Sequence, residues 1–273
     1  MFIDSPQGRI FVIHRTPHAF KAHSGVVLVP PFAEEMNQCR RMLTLLAEAL
    51  AASGYHVVLP DFYGTGDSEG EFVEASWRGW LEQLNCTVAT VQNDYGIDRY
   101  SLLGVRAGTL LVADYLQKSR SKPDKLVLWQ PVVDGAVYLK QFLRLRLASD
   151  MLAGSKEEDS HSMMQLLSAG EVVEVAGYAL TSAVADGLSS SSLKNIEPDS
   201  LPATCWIDLV ASEGLLPPLP HRNLTETWRE ANVAMQHQIV IGEPFWNSVG
   251  IVENHDVVAK TVNFLKGDEP HGA

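Results

Sequence analysis

Cysteine is scarce in this chain. Only Cys39, Cys86 and Cys205 occur in 273 residues, an odd, scattered set without the close spacing of a metal site, which suits reduced thiols in a cytoplasmic protein. Positive charge is also short: 21 Lys and Arg against 33 Asp and Glu leave a formal charge of −12. That argues against a nucleic-acid partner, whose backbone requires a broad cationic surface. No apolar run approaches the roughly 20 residues needed to cross a bilayer. The opening Met1-Phe2-Ile3-Asp4-Ser5-Pro6 lacks the basic and then apolar pattern of a secretory leader, so none is expected. Internal repeats are absent, and no motif calls for a cofactor or a metal ion.

What is present is an alternation of buried strands and amphipathic helices. Residues 9–16 (RIFVIHRT), 25–30 (GVVLVP), 56–62 (HVVLPDF), 100–104 and 125–133 (KLVLWQPVV) read as strands. Between them, residues 34–53 carry apolar positions at helical spacing and stop at Gly54, and residues 76–93 form a second helix with Ser76 as its cap. Strands that are apolar throughout, each followed by a helix, predict an α/β fold with a mostly parallel sheet covered on both faces. The predicted strand 203–210 (ATCWIDLV), a helix around 224–234, a last strand near 238–243 and a helix at 255–266 complete the pattern.

One turn departs from the chemistry its setting suggests. Gly104-Val105-Arg106-Ala107-Gly108 joins the strand at 100–104 to a helix at 109–117. In G-x-S-x-G such a turn lifts a serine hydroxyl out of the sheet as a nucleophile. Here the middle residue is Arg106, whose guanidinium is never deprotonated in a protein and does not attack a carbonyl.

With PPFAEEMNQCRRM (30–42), DFYGTGDSEGEF (61–72), GVRAG (104–108), EVAGYAL (174–180) and the segment around His255, the chain resembles α/β-hydrolase-fold proteins, and more narrowly the exosortase A system-associated hydrolase 2 group. The resemblance implies an α/β-hydrolase fold with a helical cap. Its core would be residues 1–133 and 201–273, and the cap residues 134–200, which hold the charge cluster Lys156-Glu157-Glu158-Asp159 and the serine run 189–192. It also implies that arginine at the elbow is a family feature, and that the setting is bacterial exosortase and exopolysaccharide systems.

The same resemblance assigns candidate roles. His255 stands where the fold's general base normally sits. Glu213, just after the strand at 203–210, is the first candidate for its orienting acid, and Asp134 the second. The backbone N–H groups of Phe32 and Ala107 occupy the positions of an oxyanion hole, and with Arg106 they make an anion-friendly spot. Glu34 or Glu35 is a candidate partner that neutralises Arg106 inside the pocket. Ser68, Cys39 and Thr109 are weaker substitutes for the missing nucleophile.

Lys140, Arg144 and Arg146 interleave with Phe142, Leu143, Leu145 and Leu147. Such a segment either rests on an anionic membrane or covers its own pocket with its charges turned outward; the second is expected. Two functions remain open: a hydrolase of atypical mechanism acting on an ester or thioester acyl substrate, or a non-catalytic protein binding an anionic metabolite, lipid head group or partner protein. Either way the expected partner is a small acyl or anionic molecule. The sequence leaves the oligomeric state open.

Overall fold

The computed structural model describes residues 1–18, 24–152, 160–248 and 250–267. In chain order, β1 (Phe2–Ile3) and β2 (Ile10–Arg15) lead into β3 (Gly25–Val29), α1 (Glu34–Ala52), β4 (His56–Pro60) and α2 (Trp77–Asn93). Next come β5 (Tyr100–Val105), α3 (Gly108–Lys118), β6 (Lys125–Trp129), α4 (Gly135–Leu152) and α5 (Ser160–Ser168). The hairpin β7 (Val173–Val175) and β8 (Tyr178–Leu180), α6 (Ser182–Ser190), β9 (Ala203–Val210), α7 (Leu219–Glu230), β10 (Met235–Ile241) and α8 (His255–Lys266) follow.

Among the described residues, eight strands form one sheet in the order β1-β2-β4-β3-β5-β6-β9-β10. Pairing is antiparallel at β1–β2 and β2–β4 and parallel everywhere else. Strands β3, β5 and β6 are buried along their whole length, as expected for a sheet covered on both faces. The period-2 alternation then sorts their side chains into two cores. Val27, Val29, Leu102 and Leu126 join α2, α3 and the segment after β6, whereas Val26, Leu28, Leu103 and Val127 join α1 and α8.

The expected α/β architecture is therefore present, with differences at the edges. Strand β6 stops at Trp129 rather than running to Val133, because Gln130 turns the chain with a left-handed φ of 39°. The seventh helix starts earlier than its apolar pattern suggests, at Leu219, where Pro218 and Pro220 set the helix entry. The last strand also starts earlier, at Met235.

Residues 134–200 contribute no strand to the main sheet among those described, but they are not purely helical. EVAGYAL forms the hairpin β7–β8, turning at Ala176 and Gly177 with φ of 50° and 84°, the two consecutive positive values of a type I′ turn. The serine run is hydrogen-bonded: Ser191 Oγ donates to the Gly187 carbonyl, and Ser192 Oγ to the Val133 carbonyl 2.9 Å away. The cluster Lys156-Glu157-Glu158-Asp159 lies outside the described residues. On α4, Phe142 and Leu143 are buried and Lys140 and Arg144 exposed, so these two apolar side chains face the protein. No helix among the described residues is long and apolar enough to cross a membrane.

Candidate active site

The turn from β5 into α3 is tight and carries Arg106 at its apex. Strand β5 ends at Val105, Arg106 adopts a left-handed φ of 49°, and α3 begins at Gly108. Both glycines are required by close approach. A Cβ on Gly104 would lie 2.9 Å from the Thr109 Cα, and one on Gly108 would lie 2.5 Å from the Pro30 carbonyl oxygen. The turn is fixed by Arg106 N donating to the Trp129 carbonyl at 3.0 Å, while Thr109 N and Oγ1 donate to the Arg106 carbonyl at 3.0 and 2.6 Å. A non-glycine residue in this conformation costs about 1–3 kcal/mol, which the surrounding structure must hold in place.

Arg106 turns inward. Its Nη2 and Nε donate to Glu35 Oε1 at 3.0 and 3.2 Å, and its Nη1 donates to the Gln130 carbonyl at 3.2 Å. The pair is largely buried, with 16% of the arginine and 20% of the glutamate side chain exposed. The guanidinium also lies 5.0 Å from the centre of the Trp246 ring and 5.9 Å from that of Tyr138, within cation–π range. Of the two candidate acids Glu35 is thus the partner, while Glu34 is exposed and accepts from Gln38 Nε2. Burial, followed by the Glu35 charge, holds the Tyr138 phenol well above its ordinary pKa, so it stays protonated beside the pair.

The three side chains considered as substitute nucleophiles are each constrained by their surroundings. Burial and then Glu35 push the Cys39 thiol well above the usual range, which removes the reactive thiolate. Thr109 Oγ1 is committed to the Arg106 carbonyl, and Ser68 Oγ donates to the Asp61 carbonyl while accepting from Phe11 N.

Phe32 and Ala107 come together in an apolar cavity of about 20 Å³, walled by Trp77, Trp80 and Leu111, about the size of one water. A larger cavity of about 300 Å³ opens on the other side of Phe32, lined by Glu35, Arg106, Tyr138, Phe142, Leu145 and Trp246. Helix α4 thus lies over the elbow.

His255 and Glu213 are not brought together. His255 opens α8 with 74% of its side chain exposed, and its Nε2 lies 3.4 Å from Glu253 rather than near Glu213. Glu213 is exposed in the turn after β9. Asp134 caps α4 through the Val137 N–H, pairs with Lys194 at 3.4 Å, and lines a cavity that Arg106 also lines.

A different histidine–carboxylate group stands near Arg106, and sequence reasoning missed it. Asp208 on β9 is fully buried. His221 Nδ1 lies 2.6 Å from its Oδ1, His237 Nε2 lies 2.8 Å from its Oδ2, and Trp206 Nε1 donates to the same Oδ2 at 3.1 Å. Burial alone would raise the Asp208 pKa, but the two imidazole hydrogen bonds outweigh it and hold the carboxyl below its ordinary range. His221 and Arg106 both line a second cavity of about 300 Å³, together with Gln130, Val133, Tyr138 and Lys194. The available signal was an aspartate inside ATCWIDLV, an otherwise uncharged strand.

A protein-family model described as serine aminopeptidase, S33, matches residues 21–177, more than half of the chain. No curated protein matches the sequence. Among solved structures, Est1E from Butyrivibrio proteoclasticus with bound ferulic acid superposes with a TM-score of 0.66 at 14% identity, covering 97% of each chain. A thermostable carboxyl esterase from Bacillus coagulans gives a TM-score of 0.64 at 12% identity, over 98% of this chain and 97% of that one. A thioesterase domain from the curacin biosynthetic pathway gives 0.57 at 17% identity, over 97% and 98%. Likeness at these identities establishes the shared fold.

Proposed function

The chain belongs to the serine aminopeptidase S33 family of α/β-hydrolases, and from that premise we propose that it acts on a small ester or thioester acyl ligand without forming an acyl-enzyme. One observation carries the reading. The left-handed elbow position that presents a nucleophile in this fold holds Arg106, tied to Glu35.

The acyl chain lies against Phe142, Leu145 and Trp246 in the cavity beneath α4, with residues 134–200 acting as the cap. The acyl carbonyl meets Arg106. Three of the five guanidinium N–H groups are engaged by Glu35 and Gln130, leaving one on each terminal nitrogen for a carbonyl oxygen. Because Glu35 neutralises Arg106 and Glu34 adds a further negative charge at the rim, a neutral acyl head fits this cavity better than a free anion. The esterase and thioesterase titles among the structural neighbours support this ligand class. The motif resemblance extends the proposal to exosortase and exopolysaccharide systems, and the free cysteines to the cytoplasm.

Steady hydrolysis of p-nitrophenyl butyrate is expected, with no initial burst and no labelling by a fluorophosphonate probe. Covalent labelling of a hydroxyl, or absence of turnover, overturns the reading.

A further inference from the structure

Hydrolysis without an acyl-enzyme requires a water activated by a base, and the base expected from the sequence faces solvent at the protein surface. We propose that His221, oriented by Asp208, is the general base that activates water against an acyl carbonyl held at Arg106, with the water entering from the second cavity. The inference rests on the reading above and adds the residue that moves the proton.

The geometry has three parts. First, Asp208 fixes the imidazole: its Oδ1 accepts from His221 Nδ1 at 2.6 Å, so the proton on Nδ1 is held and Nε2 carries the free lone pair. Nε2 has no hydrogen-bond partner among the described residues, and His221 lines the second cavity. Second, the carboxylate is braced at its other oxygen by His237 and Trp206. Pro218 and Pro220 place His221 on the first turn of the 12-residue helix α7.

Third, the two halves of the site are tied through one residue. The Gln130 carbonyl accepts from Arg106 Nη1, and its side-chain oxygen accepts from Leu209 N, next to Asp208, at 2.7 Å. Arg106, Tyr138 and Gln141 line both large cavities. An acyl carbonyl at Arg106 is therefore open to attack from the His221 side.

The step balances without a redox partner. A water oxygen bonds to the acyl carbon as its proton passes to His221 Nε2. Negative charge develops on the carbonyl oxygen facing Arg106. The bond to the leaving oxygen or sulfur then breaks, and the proton on Nε2 passes to that atom. The products are a carboxylic acid and an alcohol or thiol, and His221 returns to its neutral form.

The test measures kcat, KM and Tm with p-nitrophenyl butyrate for the full chain and for His221→Gln, Asp208→Asn, His237→Gln and His255→Ala. His221→Gln is expected to lower kcat by roughly 10² to 10⁴, the contribution of a positioned general base, with KM little changed. Asp208→Asn, which removes the positioning group, lowers kcat in the same direction. His237→Gln removes a comparable hydrogen bond from the same carboxylate but lies outside the cavity, so it lowers Tm like His221→Gln with less than about a tenfold effect on kcat. In a fifth variant, His221→Ala, added imidazole restores part of the turnover, which a purely structural role does not allow.

Equal loss of kcat in His221→Gln and His237→Gln, or undiminished turnover in His221→Gln, overturns the inference and leaves the hydrolytic reading standing. Loss confined to His255→Ala does the same. Absence of turnover in the unaltered protein overturns both.

Discussion

Replacing Arg106 with serine recreates G-x-S-x-G, and the expected outcome is a destabilised chain without acyl-enzyme turnover. The substitution removes two charge-assisted bonds to Glu35, one bond to the Gln130 carbonyl and the contacts with Trp246 and Tyr138. Glu35 is left as a largely buried carboxylate whose Oε2 already has no hydrogen-bond partner among the described residues. Breaking a buried pair by removing one partner costs about 3–5 kcal/mol. The 16–20% residual exposure of this pair lets water reach the stranded charge, which puts the loss near the lower end, about 3 kcal/mol. Serine inherits the same left-handed backbone, so no strain is relieved. For a chain of this size the loss corresponds to a fall in Tm of roughly 6–12 °C. Thermal unfolding of Arg106→Ser, Glu35→Gln and the double variant closes a cycle, and the double variant should be more stable than Arg106→Ser alone because no charge is stranded. Ester assays on the same proteins should show no covalent serine turnover, since His221 in the proposed reading serves a water in the second cavity and not residue 106. An unchanged Tm in Arg106→Ser, zero coupling in the cycle, or covalent fluorophosphonate labelling at the new serine refutes the reasoning.

Other consequences are equally direct. His14 Nε2 and His56 Nδ1 lie 3.0 Å apart. Burial, then His56 and the N-terminus, hold His14 below its ordinary value of 6.5, and burial does the same for His56. The folded state thus binds protons less readily than the unfolded chain, so these histidines' contribution is complete above pH 6.5 and is lost as pH falls through their lower folded values. His56→Gln should shrink the fall in Tm between about pH 7.5 and about pH 5, and an equal fall in both proteins refutes the linkage. Gly108→Ala forces a methyl against the Val29 and Pro30 carbonyls and should cost about 1–3 kcal/mol; a variant of unchanged Tm shows that α3 moves freely against β3. Native alkylation with iodoacetamide should modify the half-buried Cys86 first, because burial pushes the Cys205 thiol up to about 12 and holds Cys39 well above its ordinary range. Comparable rates at Cys39 contradict that burial.

Much of the fold was legible because its strands are apolar without interruption and its helices repeat at their own period. GVVLV and KLVLW have no polar face to expose apart from Lys125, whose ammonium reaches the Phe264 and Leu265 carbonyls on α8. EVAGYAL escaped because three-residue strands are too short for alternation to stand out within a helical stretch; only the Ala176–Gly177 turn marks the hairpin. At the site, the elbow could be read because its glycines have steric duties at fixed spacing, and the Arg106–Glu35 pair could be anticipated because a buried guanidinium requires a counter-charge. His221, Asp208 and His237 could not be found that way. They come from α7, β9 and β10, and only the parallel register of β9 with β10, which sets Trp206 beside His237, brings them together.

The strain pattern bears on whether this pocket is a remnant or a working site. Ala33, Arg106 and Gln130 are non-glycine residues with φ of 56°, 49° and 39°, and they lie just beyond β3, β5 and β6, three adjacent strands of the sheet. At about 1–3 kcal/mol each, three such turns are a large fraction of the 5–15 kcal/mol by which a folded chain is typically stable. Arg106 is bound from both sides by what the other two turns present: Glu35, two residues past Ala33, and the Gln130 carbonyl. Had the arginine only filled a vacant pocket, Glu35 and apolar walls would suffice, and the left-handed turn at Gln130 would serve nothing at the elbow. Instead that turn directs a carbonyl at Arg106 and a side-chain oxygen at the strand carrying Asp208. The three turns thus hold Arg106 between two cavities with a buried histidine–carboxylate pair beside one of them, the arrangement on which the proposed attack of water on a bound carbonyl rests.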